Sequence, residues 1–448
     1  MILGRDNVKM KTLVILTNAI SWIHHFRHWN LTALESDAPP SGKAQGACCN
    51  TLKKTRTTET ATGMKAKKEI FAIYFPSWHP DRHYEQWYGK GFSEWELMKT
   101  TKPLFPGHLQ PKEPLWGYFD ESDPAWMEKQ IDLAADHGIT GFMFDWYWYS
   151  GEQFLEKPLD ETFLHAPNRN RLKFFLMWAN HNWGVWPALR KTKSVGMLGT
   201  ENQSGHLLLE IRHSEADLRA VIEFCCQKYF GCENYWKIDD KPVYSFYNCN
   251  KLFEFIPPGD VLKIINETAK KHGFPGVFTL MNIGCCEDNE YFCGWGRIPK
   301  MKEACFDSVF AYNSGLRRDY LEYVAKDKPT YDFSFKMKNQ QYCWERIAEG
   351  GLPFFPSVTL GSDVSPRWSR DVTWPWDFDK LSYYPICINN TAEQFGKLLK
   401  QALSMNTSAV IINAWNEWSE GMFLLPEKHF GNAYLETIRR IQDEMQPE

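Results

Sequence analysis

The chain has 448 residues, which is enough for one large domain or for two or three small ones. Its formal net charge is −4 and no long run of lysine or arginine occurs, so the sequence argues against a nucleic-acid-binding protein. Aromatic residues make up 15% of the chain and include 20 tryptophans. This content favours a ligand on which aromatic rings stack, although an aromatic core would also account for it.

The first 63 residues have no clear periodicity, and we expect them to lie outside the folded domain. Their apolar run at 13–16 is too short for a signal peptide or a membrane span. Met64 stands directly before the first predicted strand. The sequence therefore predicts a disordered or non-native extension over 1–63, a single domain over 64–448, and a cytoplasmic protein without a membrane span.

The chain contains 12 cysteines, and their spacing indicates neither a zinc site nor a CxxC redox motif. Several of them, such as Cys225, Cys226 and Cys387, fall in predicted helices or strands. We therefore predict buried, reduced thiols, as expected in a reducing compartment, and a protein without a metal ion.

From Glu69 onward, short apolar runs alternate with longer amphipathic segments. The runs that predict buried strands are Ile70–Phe75, Gly141–Phe144, Phe174–Met177, Val243–Tyr247, Val277–Met281, Val309–Tyr312, Phe354–Val358 and Ala409–Ile412. Helices are predicted between them at Pro124–His137, Ser214–Tyr229, Val261–His272 and Ala392–Met405.

This alternation predicts an α/β protein, a (β/α)8 barrel of the TIM type. Long insertions, Ser77–Asp123 and Asp145–Arg171, follow the first two strands on the face where barrel active sites lie. A doubly wound sheet is the alternative, but no glycine-rich phosphate loop follows the first strand.

The last predicted strand leads into Asn413–Gly421, which carries Glu417 and Glu420 among tryptophans and asparagines. Residues three apart lie on the same side of a helical turn, so both carboxylates would face one way. Paired carboxylates in an aromatic setting are typical of sites that cleave glycosidic bonds. A pair that only caps a helix in water is the simpler interpretation, but the preceding core strand and the aromatic neighbours favour a site.

Polar and aromatic side chains also follow the other predicted strands. Such groups are costly to bury unpaired, and together at one mouth they would form a pocket. A single histidine such as His79 is, taken alone, more often a structural residue. The predicted substrate-binding residues are Tyr74, His79, Glu94, Trp95, Asp145, Tyr147, Trp148, Trp178, Asn180, Asn182, Trp183, Tyr247, Asn282, Asp363, Arg367, Trp415 and Asn416.

Several long motifs resemble the WbsX-type family, which is described as glycosyltransferases and is related to the family 99 glycoside hydrolases, the endo-α-mannosidases. The resemblance covers the chain from Glu69 to its C-terminus and leaves residues 1–63 outside. Its motifs are Ala72–Pro76, Phe92–Trp95, Pro103–His108, Gln110-Pro111, Trp178–Asn180 with Asn182-Trp183, Lys241–Val243 and Asn413–Trp418 with Glu420-Gly421.

The resemblance implies a (β/α)8 barrel that acts on glycosides without a metal or other cofactor. It further implies that Glu417, ionised at rest, removes the proton of the substrate's 2-hydroxyl, which then attacks the anomeric carbon and gives a 1,2-anhydro sugar. Glu420 would protonate the leaving oxygen and then activate water. At His181 the chain departs from the family pattern, which usually has glutamate there.

The sequence thus predicts a retaining glycoside hydrolase that acts on α-linked mannose-like residues of an oligosaccharide or polysaccharide, with Glu417 and Glu420 as catalytic residues. One alternative is a glycosyltransferase of surface-polysaccharide biosynthesis, in O-antigen or capsule. Another is a catalytically inactive carbohydrate-binding barrel. The oligomeric state stays open.

Overall fold

The computed structural model describes residues 68–189, 207–284, 294–312, 330–368 and 385–445. The predicted extension over 1–63 lies outside these ranges, so the domain boundary at Met64 stays a prediction. The strand-end residue Asn313 and the cysteine pairs at 48–49 and 285–286 lie outside them as well.

Eight parallel strands form the main sheet, and each coincides with one of the predicted apolar runs. Their order in the sheet is β6-β5-β4-β3-β2-β1-β8-β7. The strands are β1 (Glu69–Tyr74), β2 (Gly141–Tyr149), β3 (Lys173–Trp178), β4 (Lys241–Phe246), β5 (Phe278–Asn282), β6 (Ser308–Phe310), β7 (Ser357–Thr359) and β8 (Ala409–Asn413).

The two ends of this sheet meet and close a barrel. Val309 of β6 forms a parallel bridge with Phe354, just before β7. Its amide donates to the Pro353 carbonyl at 3.1 Å, and its carbonyl accepts from the Phe355 amide at 3.0 Å. The predicted (β/α)8 barrel is therefore confirmed, and β6 is joined to the segment before β7 by a bridge rather than by a longer ladder.

Helices follow the strands and cover the outside of the barrel. The predicted helices are confirmed to within three residues at each end, and Asp123, Ser214 and Thr391 cap three of them by accepting from backbone amides. The helices are α1 (Arg82–Tyr88), α2 (Trp95–Thr100), α3 (Pro124–Asp136), α4 (Glu215–Lys228), α5 (Cys249–Phe255), α6 (Pro258–Lys271), α7 (Ile298–Glu303), α8 (Phe333–Glu349), α9 (Ala392–Ser404) and α10 (Ala433–Met445).

The second strand is longer than the sequence predicts. Its apolar run ends at Phe144, yet β2 continues to Tyr149 and turns back to pair with Glu152–Phe154. Every residue of β2 is buried, so the aromatic stretch after Phe144 is covered on both faces like the strand before it. The predicted start of the second insertion at Asp145 is therefore wrong by five residues.

Other short strands lie outside the barrel sheet. Asn416–Glu417 pairs with Met422–Phe423 directly after β8, and a 3-10 turn over Trp418–Glu420 joins them. The rest are Trp183–Gly184 with Leu207–Leu209, Lys237–Ile238 against β4, and Thr330–Asp332 with Ile386–Ile388.

Alternation along the strands separates two layers of aromatic side chains. Phe71 of β1 contacts Phe175 of β3 and Trp236, which in turn contacts Phe355 beside β7. These contacts join strands that are not neighbours in the sheet, so they lie inside the barrel. Side chains of opposite parity, such as Phe142, pack outward against the helices.

The described cysteines are mostly free thiols, as predicted, but one is not. The cysteines that form no disulfide are Cys225, Cys226, Cys232, Cys249, Cys305 and Cys387. Cys343 of α8 is disulfide-bonded, so the prediction of reduced thiols is wrong at this position. Among the described residues, no helix is long and apolar enough to cross a membrane.

A chain truncated to begin at Met64 should unfold at the same temperature as the full chain. The physical reason is that β1, the first barrel strand, begins at Glu69 and takes its partners from β2 and β8. Thermal unfolding of both chains, followed by circular dichroism, measures this. A fall of several degrees after truncation would contradict the predicted boundary.

Candidate active site

One arginine joins three glutamates where the strands of the barrel end. Arg367 lies on a 3-10 turn after β7 and is 3% exposed. Its Nε donates to Glu94 Oε1 at 3.0 Å, one terminal nitrogen donates to Glu417 Oε2 at 3.3 Å, and the other donates to Glu420. Glu417 and Glu420, predicted as a pair from their spacing, therefore share one guanidinium.

The position of Glu94 shows how the first insertion contributes. Glu94 stands directly before α2 but does not cap it. Its side chain turns instead to Arg367, and it also accepts from the hydroxyls of Ser77 and Ser419. These bonds tie the end of β1, the insertion and the segment after β8 to one point.

The charged groups of this cluster shift one another's pKa values. Burial lowers the pKa of Arg367, but the three carboxylates outweigh it, so the arginine stays charged. Burial raises the pKa of Glu417 well above its usual range, the charge of Glu420 raises it further, and Arg367 opposes both. Burial also lowers the pKa of Lys336 of α8, a second buried cation, to about 8, and the charge of Glu420 opposes this shift.

A closed ring of contacts runs around the carboxyl ends of the strands, and we call it the mouth ring. In order of contact its members are Glu417, Arg367, Trp186, Trp183, Tyr147, His181, Tyr247 and Tyr312. Neighbouring aromatic rings have centroids 5.2–6.1 Å apart. The guanidinium lies 4.4 Å over Trp186, and the Tyr312 hydroxyl donates to Glu417 at 3.1 Å.

Asp145 stands beside the glutamate pair. It alternates with Trp146 along β2 and so shares the face of Tyr147, a member of the mouth ring. Burial raises the pKa of Asp145 well above its usual range, the charge of Glu420 adds to this, and Arg367 opposes it. Three predicted carboxylates, Glu94, Glu417 and Glu420, thus bond one arginine, and a fourth, Asp145, feels its charge.

Asp363 was predicted to bind substrate, and in the structure its carboxylate bonds other side chains of the protein. Its Oδ2 accepts from His108 at 2.9 Å and from Gln110 at 2.7 Å, and these bonds hold the first insertion to β7. Its amide donates to the Glu420 carbonyl at 2.7 Å. A Cβ on Gly421 would meet the Asp363 amide nitrogen at 2.9 Å, so the glycine after Glu420 allows this close approach.

The strand-end asparagines that were predicted as sugar contacts brace the backbone, and their contact with a sugar stays a prediction. Asn416 bonds both the amide and the carbonyl of Phe75, at 2.7 and 2.8 Å. Asn180 does the same for Asn248, at 2.7 and 2.9 Å. Asn282 joins the Tyr247 carbonyl to the Tyr312 amide, and Asn182 accepts from the Ile211 amide. A side-chain amide bonded at both ends has little left to offer a ligand.

Tyr74 and His79 belong to a separate buried cluster around Glu121. Tyr74 donates to Glu121 Oε2 at 2.8 Å, and His79 Nδ1 lies 3.2 Å from Glu121 Oε1. Tyr74 also contacts Gln130 of α3, so it faces the helical layer. Burial raises the pKa of Glu121, with His79 and the Trp78 amide opposing. The substrate contacts of Tyr74 and His79 stay a prediction, and in the structure both side chains bond Glu121.

Most of the predicted stacking tryptophans pack into the protein. Trp415 donates to Gln130 of α3 at 2.8 Å, and Trp95 donates to the Phe119 carbonyl at 2.7 Å. Trp148 contacts Phe224 of α4, and Trp178 contacts His213. Alternation along β2 and β3 turns Trp148 and Trp178 away from the mouth ring. Trp95 and Trp415 lie outside the barrel strands, and their hydrogen bonds hold them away from it. Trp183 alone among the predicted tryptophans lies in the ring.

Some members of the site were missing from the predicted set. Tyr312 was noted as a strand end, and His181 as a departure from the family pattern, yet neither was assigned to the site. Trp186 and Ser419 carry no sequence signal beyond their nearness to Trp183 and Glu417. Glu121 lies in the first insertion without a motif, so its burial could not be foreseen.

Replacing Arg367 with methionine should destabilise the protein by about 3–5 kcal/mol at neutral pH, because two buried carboxylates, those of Glu94 and Glu417, and the partly buried one of Glu420 lose their common cation. The loss should shrink as pH falls. Without the cation the folded-state pKa values of these carboxyls rise, so the variant is most stable at low pH and loses stability as pH rises through them. Chemical denaturation at several pH values measures this.

Arg171→Met is the matched control, because Arg171 also bonds two carboxylates, Asp132 and Asp136, but at the surface. Exposed ion pairs contribute at most about 1 kcal/mol, so its free energy of unfolding should change little at any pH. Equal losses in the two variants would contradict a special role for the buried arginine.

Comparison with known proteins places the chain in a family. The profile described as "Glycosyltransferase WbsX" matches residues 70–438. Two relatives from strains of Xanthomonas campestris pv. campestris, each described as "Uncharacterized protein WxcX", are 26% identical over 390 residues. The match covers 83% of this chain and 49% of each relative, so the chain spans about half the length of the curated relatives it matches.

Solved structures share the barrel fold. One described as "Glycoside hydrolase-like protein" has a TM-score of 0.50 at 13% identity and covers 84% of this chain and 94% of its own. The GH99 endo-alpha-mannosidase from Bacteroides thetaiotaomicron has a TM-score of 0.46 at 16% identity, over 84% of this chain and 97% of its own. The profile match, in contrast, spans nearly the whole barrel, and the chain belongs to the glycosyltransferase WbsX family.

Proposed function

We propose that the protein is a retaining glycoside hydrolase that acts on α-linked mannose-like residues of an oligosaccharide or polysaccharide. The observation that carries the proposal is the pair Glu417 and Glu420 on one buried arginine, at the carboxyl-end mouth of a parallel barrel. Active sites of such barrels lie at this face, and paired carboxylates are the usual equipment for cleaving glycosides.

The mouth ring supplies surfaces that suit a sugar. Aromatic side chains stack on the apolar faces of sugar rings, and the hydroxyls of Tyr147, Tyr247 and Tyr312 are hydrogen-bonding groups at their edges. Burial, and then the charge of Glu417, keeps the pKa of Tyr312 well above its usual range. Tyr312 therefore stays protonated and holds Glu417 in place as a donor.

In the proposed mechanism Glu417 accepts the proton of the substrate's 2-hydroxyl while that oxygen attacks the anomeric carbon. Glu420 gives its proton to the leaving oxygen and then takes one from the water that attacks the anomeric carbon. As the bond from that carbon to O2 breaks, Glu417 returns its proton to O2, which restores both glutamates. The raised pKa of Glu417 departs from the expectation of a readily ionised base. Once ionised, however, a carboxylate with a raised pKa holds the hydroxyl proton more strongly, which suits a base for a weakly acidic alcohol.

A transfer reaction from a nucleotide sugar is the alternative that the family's description suggests. Such a donor carries a diphosphate, whose charge would approach four carboxyl groups. Among the described residues, the guanidinium of Arg367 is already bonded to three of these carboxylates and would not offset the charge of a diphosphate. The charge of the site therefore favours hydrolysis, or transfer from one glycan to another, over use of a nucleotide sugar.

A binding barrel without activity is the second alternative. Binding alone does not require a buried carboxylate and a partly buried one beside each other, and burying such charges is costly unless they are paired. The intact pair therefore favours an enzyme. Product formation from an α-mannoside, as opposed to binding without turnover, separates the two.

The pH dependence of kcat/KM should show the raised pKa of Glu417. As a base, Glu417 must be ionised, so activity should fall as pH drops through its folded-state pKa. We expect this acid limb to lie clearly above about 4.3, the ordinary value for a glutamate. A limb at the ordinary value would contradict Glu417 as the base.

Glu417→Gln and Glu420→Gln should each lower kcat by about 10²–10⁴-fold while leaving the fold intact, because an amide can neither take nor give the proton. The two variants should differ with a substrate whose leaving group needs no protonation. The first step of Glu420→Gln should then recover, whereas Glu417→Gln should stay inactive. Stopped-flow release of a nitrophenol measures this first step.

Glu113→Gln is the control for these variants, since Glu113 is a partly exposed glutamate at the surface that pairs with Lys428. It should keep full activity.

A 2-deoxy glycoside should be inert toward the unmodified enzyme, because it lacks the attacking hydroxyl. Ready cleavage of that glycoside would contradict the participation of the 2-hydroxyl, though not hydrolysis itself.

A further inference from the structure

Asp145 differs from every other carboxyl group of the site in its hydrogen bonds. Glu94 accepts from Arg367, Ser77 and Ser419, and Glu417 accepts from Arg367 and Tyr312. The side chain of Asp145 is buried, and its Oδ1 has no hydrogen-bond partner among the described residues. An ionised carboxylate in this position would lose the hydration of Oδ1 without a hydrogen bond in return.

The surroundings of Asp145 add to this cost. The charged and titratable groups that act on it are Glu417 and Glu420 after β8, Arg367 after β7, Tyr312 after β6 and Tyr147 on its own strand. Arg367 is the favourable charge among them, and it is bonded to three other carboxylates. A further ionised group beside the glutamate pair would meet repulsion that this guanidinium does not offset.

Asp363 provides the contrast within the same site. It is buried to a similar degree, yet its carboxylate accepts from His108, Gln110 and the Ser365 amide. Burial raises the pKa of Asp363, but the bond and charge of His108, the charge of Lys112 and a bond from Ser365 outweigh it and hold that pKa well below its usual range. Burial alone therefore does not decide the charge of an aspartate here, whereas nearby donors and cations do.

We propose that Asp145 binds the substrate in its neutral form, keeping its proton in the resting enzyme and donating a hydrogen bond to an oxygen of the sugar next to Glu420. A buried polar atom without a protein partner is the position that a ligand atom completes. A neutral carboxyl suits an uncharged, hydroxylated sugar, while an ammonium group of an amino sugar would need an ionised one. This inference rests on the proposed function.

Infrared difference spectroscopy of the full chain at neutral pH tests where the proton lies. The spectrum of the unmodified protein minus that of Asp145→Asn should contain the C=O band of a protonated carboxylic acid. The same subtraction with Asp363→Asn, the matched control, should lack it. Absence of the band in the Asp145 spectrum, or its loss in Glu417→Gln instead, would overturn the proposal.

Stability gives a second readout that needs no substrate. A folded-state pKa above the unfolded one stabilises the fold at low pH, and that stability is lost as pH rises through the folded pKa. The melting temperature of the unmodified protein should therefore fall with rising pH relative to that of Asp145→Asn, whose side chain does not titrate. A constant difference between the two proteins across pH would contradict a neutral Asp145.

Kinetics with 4-nitrophenyl α-mannoside tests the sugar contact. Asp145→Asn keeps a neutral donor and should change KM less than threefold, whereas Asp145→Ala should raise it about tenfold. A loss of kcat in Asp145→Asn as deep as in Glu417→Gln would show that an ionised Asp145 is required. If the unmodified enzyme cleaves no α-mannoside, the proposed function fails and the sugar contact with it, while the infrared band still locates the proton.

Discussion

The guanidinium of Arg367 is the contact on which the site depends. It bonds Glu94 from the first insertion and both glutamates from the segment after β8, while its own backbone follows β7. Buried carboxylates repel one another and resist losing water, so a shared cation stabilises them when they are brought together. This one side chain thereby sets the positions of three chain segments and the charge of the residues proposed to act on the substrate.

The polar residues at the strand ends are of two kinds. Some bond the backbone, and others face the mouth because of their position in the alternation along a strand. Asn180, Asn282 and Asn416 close backbone gaps between neighbouring strands and so give the mouth its shape. Tyr147 and Asp145 alternate with tryptophans along β2 and face the mouth, whereas Trp148 faces α4. The aromatic richness of the chain thus serves the packing of helices on the barrel as much as the mouth ring.

The barrel could be predicted from the sequence because parallel strands buried on both faces appear as unbroken apolar runs. The glutamate pair could be predicted because its motif is compact and follows the clearest of these runs. The continuation of β2 past Phe144 could not, since polar and aromatic residues hide the strand there. Nor could the use of Asp363 and Asn416 as braces be foreseen, because their partners, such as His108 and Phe75, lie hundreds of residues away.

The most direct test of the central claim follows the cleavage of an α-mannoside by proton NMR and reads the anomeric configuration of the first product. The attack of the 2-hydroxyl inverts the anomeric carbon, and the attack of water inverts it again. The first product should therefore be α-mannose, before mutarotation sets in. Release of β-mannose would contradict the neighbouring-hydroxyl route assigned to Glu417 and Glu420. Turnover that occurs only with a nucleotide sugar would contradict hydrolysis as the function of the site.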